Sequence, residues 1–507
     1  IYQSLLYCSH CRYTCSVHTI SPASTPLSRS ADTPLSEQIA RLFASRIDSG
    51  LLAAGTRLPS VRQCASRYGV SPHTVVAAYD QLLAQGLVRS ERNRGFFVRE
   101  RTAAPAQAHP PAPEHQLHAF PNDIGSLIRT MFPAGVRNQV QSSMEASRPS
   151  PASGVLPANW LDEGLLIKAL RRAVAQDNTS SGALYGTAQG DPLLRDMLAL
   201  HLESLGISAP AAQIITTSGA THALDVVART LLSPGDAVLV DSPGWSVEFA
   251  RLTRMGIRLL SVPRGPHGVD MATLAQLAAA HRPKAYTTVS VLHNPTGHSL
   301  NLLQAHQVLQ LAEQHDFFIV EDDTYAAFAP AHSPRYAALD GLKRTFYVTG
   351  FAKIIAPGWR VGCIAAPADW IPELLDTKLI AGLNTVTPTE RALSLCLQQG
   401  WLRRHTEAVT SRLDAARSRT VQLALRHGAE FAAPPAGLFG WVETEVDTEQ
   451  LAQRLLDHGW MIAPGHLFYP ERHSSTHMRL NFAAGQDVTF WRAYQREVRL
   501  LKTKAGG

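Results

Sequence analysis

Short apolar runs of the kind that form strands alternate with amphipathic helical segments along most of this chain. The runs lie at residues 213–217, 237–240, 285–289, 317–320 and 345–349. Such alternation is typical of a mostly parallel sheet covered by helices. After residue 385, helical segments come first and two further strand-like runs follow, at 438–442 and 478–482. We therefore predict an α/β domain at residues 121–500, of which residues 385–500 form a smaller α+β lobe.

Lys353 follows the run at 345–349, and Arg360 stands seven residues later, beyond a Pro-Gly turn. Ligands of α/β sheets bind at the carboxyl ends of the strands, which is where this lysine falls. A lysine amine there can form a Schiff base with a carbonyl cofactor if its surroundings lower its pKa. A nearby arginine suits the phosphate of such a cofactor. Alone, two charged residues on a loop are more often ordinary surface charges, so the other strand ends must decide.

The ends of the other strands carry residues that suit a planar cofactor with a phosphate group. A small-residue turn at 217–225 leads into a helix, whose first amides can bind a phosphate. Trp245 could stack on a ring, and Asn294 could donate to a ring oxygen. Asp322 could pair with a protonated ring nitrogen, and Tyr325 could contact the ring oxygen. Separately, the tryptophan could belong to the core and the polar residues could cap helices.

In this order along the chain, the motifs resemble the class I and II branch of the fold-type I aminotransferases. The motifs are Asn-Pro-Thr-Gly at 294–297, Asp-x-x-Tyr at 322–325 and an arginine seven residues after the lysine. The resemblance implies pyridoxal 5'-phosphate as cofactor, with Lys353 as the catalytic lysine. The cofactor-binding residues that it implies are Ser218, Gly219, Ala220, Thr221, Trp245, Asn294, Asp322, Tyr325, Lys353 and Arg360. It also implies that Tyr185 contacts the phosphate of a partner subunit, and that Arg479 binds a substrate or effector carboxylate.

The chain departs from the family pattern just before the lysine. The family usually has hydroxyl residues one and three positions before it, where this chain has Ala352 and Gly350. Two hydrogen bonds to the phosphate would then be missing, each worth roughly 1.5–3 kcal/mol. Thr349 or Ser218 could replace them. The departure leaves the affinity for the cofactor open more than the existence of the site.

Residues 31–100 show a second, compact pattern. An apolar helical period begins at Leu35, and two short helices are predicted on either side of a Gly69-Val70 turn. The second helix has Ser71 as N-cap and Pro72 in its first position. Two strands around a basic turn follow, and the segment contains nine arginines, no lysine and six acidic residues. This combination predicts a helix-turn-helix followed by a wing.

The same segment resembles the GntR-type winged helix-turn-helix over almost its full length. The matching motifs are Leu-Pro-Ser at 58–60, Gly-Val-Ser at 69–71, Thr-Val at 74–75, Gly-Leu-Val at 86–88 and Gly-Phe-Phe-Val at 95–98. The resemblance implies binding to double-stranded DNA through Arg62, Ser71, His73, Thr74, Arg92, Arg94 and Gly95. The start of a recognition helix offers amides to phosphates and side chains to base edges. Taken singly, the arginines could be solvated surface residues.

The remaining segments predict no further domain. Residues 1–30 have no helical or strand period and are interpreted as a disordered extension. A zinc site at Cys8, Cys11, Cys15 and His18 is the less favoured alternative, because the ligands are too bunched, and we predict no metal. Residues 101–120 form a Pro/Ala-rich linker and residues 501–507 a tail. Six cysteines make no disulfide framework, and no apolar run is long enough for a transmembrane helix, so we expect a cytoplasmic protein.

A GntR-like unit joined to an aminotransferase-like domain resembles the MocR family of bacterial regulators. That resemblance implies a transcription regulator that depends on pyridoxal phosphate and senses a small amine, an amino acid or the cofactor itself. It also implies a head-to-tail homodimer, associated with the nucleoid when bound to its operator. Two alternatives stay open: an active aminotransferase of amino acids that carries a DNA-binding domain, and a cofactor-free DNA-binding dimer whose second domain is a scaffold.

Overall fold

The computed structural model describes residues 33–48, 52, 54–91, 94–99, 150–175, 184–471 and 473–505. The chain divides into two compact units, residues 1–116 and 117–507. The predicted extension with its alternative zinc site, the linker at 101–120 and Arg92 lie outside the described residues. In the described part of the chain, no helix is long and apolar enough to cross a membrane. Within the same ranges, no group of three or more His, Cys, Asp or Glu side chains is placed to hold a metal ion.

The first unit is a winged helix-turn-helix. Its elements are α1 (Leu35–Asp48), α2 (Val61–Tyr68), α3 (Pro72–Ala84), β1 (Val88–Glu91) and β2 (Gly95–Val98). The local sequence sets the helix boundaries, because Ser60 and Ser71 cap the first turns of α2 and α3. Gly69 ends α2 in the left-handed region, at a φ of 62°, which turns the chain toward α3. The two predicted helices and the wing are thereby confirmed.

A buried apolar cluster joins the helices of this unit to the hairpin. Tyr79 of α3 lies at its centre, with edge-to-face ring contacts to Phe43 of α1 and Phe96 of β2. The Tyr79 hydroxyl donates to the carbonyl oxygen of Pro59 at 2.8 Å, which fastens the start of α2. β1 and β2 pair antiparallel, with Val88 opposite Val98. The start of α3 is therefore held firmly at the surface of the unit.

The second unit is built on an eight-stranded sheet in the order β3-β10-β9-β8-β7-β4-β5-β6. The strands are β3 (Ile214–Thr217), β4 (Ala237–Ser242), β5 (Arg258–Gly265), β6 (Gly268–Val269), β7 (Ala285–Thr288), β8 (Phe318–Asp322), β9 (Thr345–Gly350) and β10 (Gly362–Ala365). β4, β5, β7, β8 and β9 are parallel, which confirms the predicted sheet. β10 runs antiparallel between β3 and β9, and the alternation of strands and helices did not reveal it.

Helices cover both faces of this sheet. They are α4 (Glu163–Ala175), α5 (Pro192–Glu203), α6 (Ala220–Leu231), α7 (Ser246–Arg254), α8 (Met271–His281), α9 (Leu302–Gln314), α10 (Tyr336–Asp340), α11 (Ile371–Gly382) and α12 (Thr387–Gln398). In β4, Val238 and Val240 pack into a cluster with α6 and α7, whereas Ala237 and Leu239 pack into another with α8 and α9. Successive strand side chains point to opposite faces, so a strand buried on both sides is apolar throughout.

The parallel arrangement collects the predicted site residues at one edge of the sheet. β10 is antiparallel to both β3 and β9, so β3 points the same way as the parallel strands. The carboxyl ends of these strands therefore lie together. Ser218, Trp245, Asn294 and Lys353 follow the ends of β3, β4, β7 and β9, and Asp322 is the last residue of β8.

The predicted smaller lobe is confirmed as an α+β structure. Its elements are α13 (Trp401–Arg426), β11 (Glu430–Phe431), β12 (Phe439–Glu443), α14 (Thr448–Asp457), β13 (Ala463–Pro464), β14 (His477–Asn481) and α15 (Val488–Ala505). The strands form an antiparallel sheet in the order β11-β12-β14-β13. Trp491 and Tyr494 of α15 are fully buried against this sheet, and Arg479 lies on β14, opposite Trp441.

Candidate cofactor site and nucleic-acid interface

Lys353 lies three residues beyond β9 and is partly buried. Its Nζ donates a hydrogen bond to the carbonyl oxygen of Gly154 at 2.7 Å. Burial, and after it the positive charge of Arg479, lowers the pKa of Lys353 to about 8, although the negative charge of Asp322 opposes the change. A lysine with such a pKa has an appreciable neutral fraction near neutral pH, which is the form that attacks a carbonyl carbon.

Asp322 is buried at the end of β8. It accepts hydrogen bonds from the backbone N–H of Thr324, at 3.0 Å, and from the Thr324 hydroxyl. Burial raises the pKa of Asp322 to about 6, and the neighbouring Glu248 carboxylate acts in the same direction. Trp245 and Asp322 line one small cavity together with His293, so an aromatic face and a buried carboxylate adjoin the same space.

Tyr325 and Asn294 are close neighbours in this region. Burial raises the pKa of Tyr325 above the usual range of a phenol, so the hydroxyl keeps its proton and can donate it. The Tyr325 ring makes an edge-to-face contact with Phe439 of β12. The structure thus brings these two residues together at adjacent strand ends, with the small lobe packed against them.

Arg360 lies against the start of α6. Nη2 of Arg360 donates to the carbonyl oxygen of Ser218 at 2.8 Å. Gly219, with a φ of 84°, immediately precedes α6, and a Cβ there would lie 2.7 Å from Nη2 of Arg360. The first amides of α6, at Ala220 and Thr221, belong to a helix start, which attracts anions. Glycine is therefore required for the guanidinium and the helix start to approach each other.

The missing hydroxyls before Lys353 have a steric explanation at one position. A Cβ at Gly350 would lie 3.0 Å from the backbone nitrogen of Ala220, because α6 packs directly onto the end of β9. Of the two residues that could replace them, Thr349 already uses its hydroxyl proton, which it donates to the carbonyl oxygen of Asp323 at 2.9 Å. The Ser218 backbone N–H is also engaged, with Nδ1 of His222 at 3.1 Å.

Arg479 is buried beside Lys353. Its Nη1 donates to Oδ1 of Asn294 at 3.2 Å and its Nη2 to the carbonyl oxygen of Ala152 at 2.7 Å, while Nε is buried without a partner. The guanidinium lies over the rings of Phe439 and Phe468, at 4.4 and 5.1 Å from their centroids. Burial lowers the pKa of Arg479 to about 10. A buried guanidinium with a free donor, and with no carboxylate partner in the part of the chain that the structure describes, suits an incoming carboxylate.

Two contributors to this site carry no recognisable sequence motif. Residues 150–156, named here the strap, cross over the site and supply the carbonyl oxygens that bind Lys353 and Arg479. Nδ2 of Asn481 donates to two further strap carbonyls, those of Ser153 and Val155, at 2.9 Å each. Every residue has a backbone carbonyl, so no residue type marks the strap, and only the position of Asn481 two residues after Arg479 could have indicated a neighbour.

Tyr185 does not join the other site residues within one chain. It is 81% exposed, next to Leu184, which is 76% exposed. The following residue, Gly186, packs against the start of α12, where a Cβ would lie 2.5 Å from Oγ1 of Thr387. Val386, just before Thr387, is also exposed, so these apolar side chains belong to one surface.

In the first unit, the predicted DNA-facing residues lie at the surface. Ser71, His73 and Thr74 occupy the first turn of α3, where Ser71 Oγ accepts from the backbone N–H of Thr74 at 3.1 Å. Arg62 is exposed on the first turn of α2. Arg94 is exposed at the hairpin turn, 2.9 Å from a carboxylate oxygen of Glu91.

Arg57 is a further basic residue at the wing that the motif did not mark. Its exposed guanidinium packs against Gly95, where a Cβ would lie 3.4 Å from Nε. Arg57 also forms an isolated bridge with Phe97 of β2. The only sequence signal was a basic residue directly before Leu-Pro-Ser at 58–60.

A family model for aminotransferases of class I and II matches residues 154–496, which is most of the chain. The chain belongs to the aminotransferase class I and II family. A model for bacterial regulatory proteins of the gntR family matches residues 35–98. A multiple substrate aminotransferase from Thermococcus profundus has a similar structure, with a TM-score of 0.66 and 25% identity, over 73% of this chain and 95% of that one.

Two relatives named as regulators align with most of this chain. The HTH-type transcriptional regulator TauR of Rhodobacter capsulatus is 29% identical over 477 residues, covering 89% of this chain and 93% of the relative. The probable rhizopine catabolism regulatory protein MocR of Rhizobium meliloti is 28% identical over 426 residues, covering 80% of each. The predicted resemblance to MocR-type regulators, a GntR domain joined to an aminotransferase domain, is confirmed.

Proposed function

We propose that this protein is a DNA-binding transcription regulator whose aminotransferase-like domain binds pyridoxal phosphate and senses a small amine, an amino acid or the cofactor itself. The observation that carries the proposal is the union in one chain of a winged helix-turn-helix with a partly buried, low-pKa lysine at the strand ends of an aminotransferase fold. The regulators named among the relatives support it. DNA as the target places the protein in the bacterial cytoplasm, at the nucleoid.

The residues present fit pyridoxal phosphate. The helix start at Ala220, with Arg360 beside it, offers positive potential to a phosphate. Asp322, a buried carboxylate with no cationic partner among its hydrogen bonds, suits a protonated ring nitrogen. Asn294 and Tyr325 are placed to donate to a ring oxygen.

Each chain residue would then have one physical task. When bound, the cofactor supplies an aldehyde that reacts reversibly with primary amines. Lys353 provides the neutral amine, because its pKa is lowered. Trp245 packs on the ring face, and Arg479 binds an effector carboxylate through its unpaired Nε and remaining protons. Because Gly350 and Ala352 lack hydroxyls, the amides of α6 and Arg360 carry the phosphate, with Ser218 Oγ beside them.

DNA recognition rests on the first unit. The first turn of α3 presents Ser71, His73 and Thr74 to the bases and phosphates, and Arg62 binds the backbone. Arg94 and Gly95 lie in the wing and would contact the duplex there. Arg92 belongs to the same proposal on the sequence alone. Arg57 belongs to the same surface, because it packs against Gly95.

We further propose a head-to-tail homodimer. Leu184, Tyr185 and Val386 expose large apolar areas on one surface, and burial of such a surface stabilises association. In that arrangement Tyr185 contacts the phosphate in the partner's site. The molar mass in solution tests the state, and a monomer at micromolar concentration would contradict it.

The deciding experiment compares wild type with Lys353→Ala. We expect wild type to bind operator DNA differently with and without pyridoxal phosphate, and the variant to bind it identically in both conditions. Lys343→Ala, which removes an exposed lysine ten residues away, is the matched control and should behave as wild type. Wild-type binding that is indifferent to the cofactor and to a panel of amines would contradict sensing.

An active aminotransferase is the second candidate, because Lys353 and Asp322 at the strand ends and Arg479 on β14 are all present. Lys353 would then move protons between the two half-reactions as general acid and base. Conversion of the bound cofactor to its amine form by an amino acid, seen in the absorption spectrum, at several turnovers per second would favour this candidate.

A further inference from the structure

The strap at residues 150–156 makes hydrogen bonds to the same two cations that the cofactor and the effector need. Nζ of Lys353 donates to Gly154 O at 2.7 Å, and Nη2 of Arg479 donates to Ala152 O at 2.7 Å. Asn481 adds two bonds at 2.9 Å, to Ser153 O and Val155 O. Three side chains thus hold four consecutive carbonyls of one short segment.

The strap also has anchors that do not involve the site. The backbone N–H of Ala152 donates to the carbonyl of Met461 at 3.1 Å, and the backbone N–H of Asn481 donates to the carbonyl of Pro151 at 3.0 Å. In the part of the chain that the structure describes, the strap is the first segment of the second unit after the DNA-binding unit. A change in how the strap is held is therefore a change in the described segment of the second unit that lies nearest in sequence to the DNA-binding unit.

We propose that the strap reports the chemical state of Lys353 and Arg479 to the DNA-binding unit, an inference that rests on the proposed function. Three states of the site differ in the hydrogen bonds left to the strap. With Lys353 free, Gly154 O has its donor. With Lys353 bonded to the cofactor, Gly154 O loses it. With an effector carboxylate on Arg479, Ala152 O competes with a charged acceptor, which forms the stronger hydrogen bond.

Nζ of Lys353 loses its hydrogen atoms when it reacts with the aldehyde and regains them when an effector amine replaces it. When its neutral amine condenses with the aldehyde, its two hydrogens leave with the carbonyl oxygen as water, and Nζ keeps none free for Gly154. When the neutral primary amine of an effector replaces the lysine at that carbon, its two hydrogens pass to Nζ. Lys353 is then again a free amine that can donate to Gly154 O, so one hydrogen bond alternates with the occupancy of the site.

The size of the effect follows from the bonds involved. One net hydrogen bond is worth about 0.5–1.5 kcal/mol, so its loss should speed local opening of the strap about twofold to tenfold. The strap makes a small number of such bonds, and losing one therefore shifts its equilibrium noticeably. Both ligands bias this segment because each changes its bonds directly, as population shift requires.

Hydrogen exchange of residues 150–156 in the full-length protein tests the Lys353 contact. We expect pyridoxal phosphate to speed exchange about twofold to tenfold in wild type. Lys353→Met should exchange fast with and without the cofactor, because it has no donor. Lys353→Arg should stay slow in both conditions, because it can donate to Gly154 O but cannot condense with an aldehyde.

Cofactor attachment and strap exchange are measured separately, so each can contradict a different proposal. If the absorption spectrum shows the cofactor attached and strap exchange is unchanged, the inference is wrong and the proposed function stands. If the protein takes up no cofactor, the proposed function fails, while equal exchange in cofactor-free wild type and Lys353→Met would still overturn the strap contact.

A second variant tests the connection to DNA. Asn481→Ala removes two strap bonds and leaves Lys353 and Arg479 in place. Without cofactor, we expect its operator affinity to shift in the direction in which the cofactor shifts wild type, and its own response to the cofactor to be at least halved. Asn159→Ala, an exposed residue just beyond the strap, is the control and should match wild type. A full wild-type response in Asn481→Ala would overturn the proposal.

Discussion

The DNA-facing surface and the cofactor pocket differ in how their residues are brought together. On the first unit, the proposed DNA contacts lie between residues 57 and 95, on the exposed first turns of two helices and on the hairpin turn. In the second unit, the pocket residues come from the ends of five strands and from β14, between residues 218 and 479, and Asn294, Asp322, Tyr325 and Arg479 among them are buried. One surface is local and solvated, and the other is long-range and partly desolvated.

This difference has an energetic consequence. An exposed polar residue contributes little to the free energy of unfolding, so it can be chosen for binding alone. A buried charge opposes folding unless it is paired, and the altered pKa values of Lys353, Asp322 and Arg479 record that opposition. The charged groups of the pocket therefore lower the free energy of unfolding, whereas the exposed residues of the DNA-facing surface do not. Substitutions that separate stability from binding test this contrast.

The largest expected effect is on the pocket side, for Asp322→Asn. The folded-state pKa of Asp322 is raised from 3.8 to about 6. The charged carboxylate therefore opposes folding above about pH 6 and has little such effect below about pH 3, where the folded and unfolded forms are both largely protonated. The difference between the two pKa values corresponds to roughly 3 kcal/mol at pH 8. Urea unfolding of the cofactor-free variant should show a gain of up to that size at pH 8, which is almost lost at about pH 3.

The same substitution should weaken cofactor binding, so the variant is expected to gain stability without cofactor and to lose affinity for it. Asparagine can still accept from the Thr324 N–H but has no charge for a ring nitrogen. Asp376→Asn, on the exposed side of α11, is the control and should change neither quantity. A variant that is less stable than wild type at pH 8 would contradict the contrast.

On the DNA-facing surface, Arg62→Ala should lower operator affinity about tenfold to a hundredfold at fixed salt. Its free energy of unfolding should stay within about 0.5 kcal/mol of wild type, because Arg62 is exposed. Arg41→Ala removes an equally exposed arginine, paired with Glu37 on α1, and serves as the control for net charge. A comparable loss of affinity in the control would mean that charge, and not position, explains the result.

Sequence reasoning succeeded where signals are local. Ser60, Gly69, Ser71 and Pro72 set the ends of α2 and α3, and the predicted helices begin and end where the structure has them. The strand ends that carry the pocket were also predicted within one or two residues. Strand order was not, because the antiparallel β10 between β3 and β9 depends on long-range pairing.

The parts of the site that sequence reasoning missed are those made by the backbone. Gly154 and Lys353 are 199 positions apart, and a carbonyl oxygen is the contact atom. No residue type encodes such a contact. The contact of the Thr349 hydroxyl is hidden for a similar reason, since it donates to the backbone carbonyl oxygen of Asp323, just after β8. Only the folded arrangement shows which donors are already used.

The pH dependence of cofactor uptake tests the pocket from its lysine. The folded-state pKa of Lys353 is lowered from 10.5 to about 8. Uptake by the neutral amine should therefore rise about tenfold per pH unit below pH 8 and level off above it. The rate of absorbance change after addition of pyridoxal phosphate, divided by the rate with a simple primary amine corrected to its neutral form, isolates the lysine. A rate that still rises steeply above pH 9 would indicate that the pKa of Lys353 is not lowered. The pocket and the DNA-facing surface would then not differ in this respect.

The smallest expected effect falls on Ser71, where the two regions resemble each other because one side chain serves both fold and binding. Its Oγ accepts from Thr74 N at 3.1 Å and so caps α3. Ser71→Ala should destabilise this helix start by about 1 kcal/mol, measured in the full chain as about fivefold faster hydrogen exchange of residues 72–84.

Ser71→Asp keeps a capping oxygen and favours the helix dipole, but its charge repels DNA phosphates. We expect Ser71→Asp to retain slow exchange and to lose operator binding, whereas Ser71→Ala loses protection and only part of the binding. If both variants lose protection equally, the cap is not what stabilises α3; if both bind the operator as wild type does, the first turn of α3 does not face DNA.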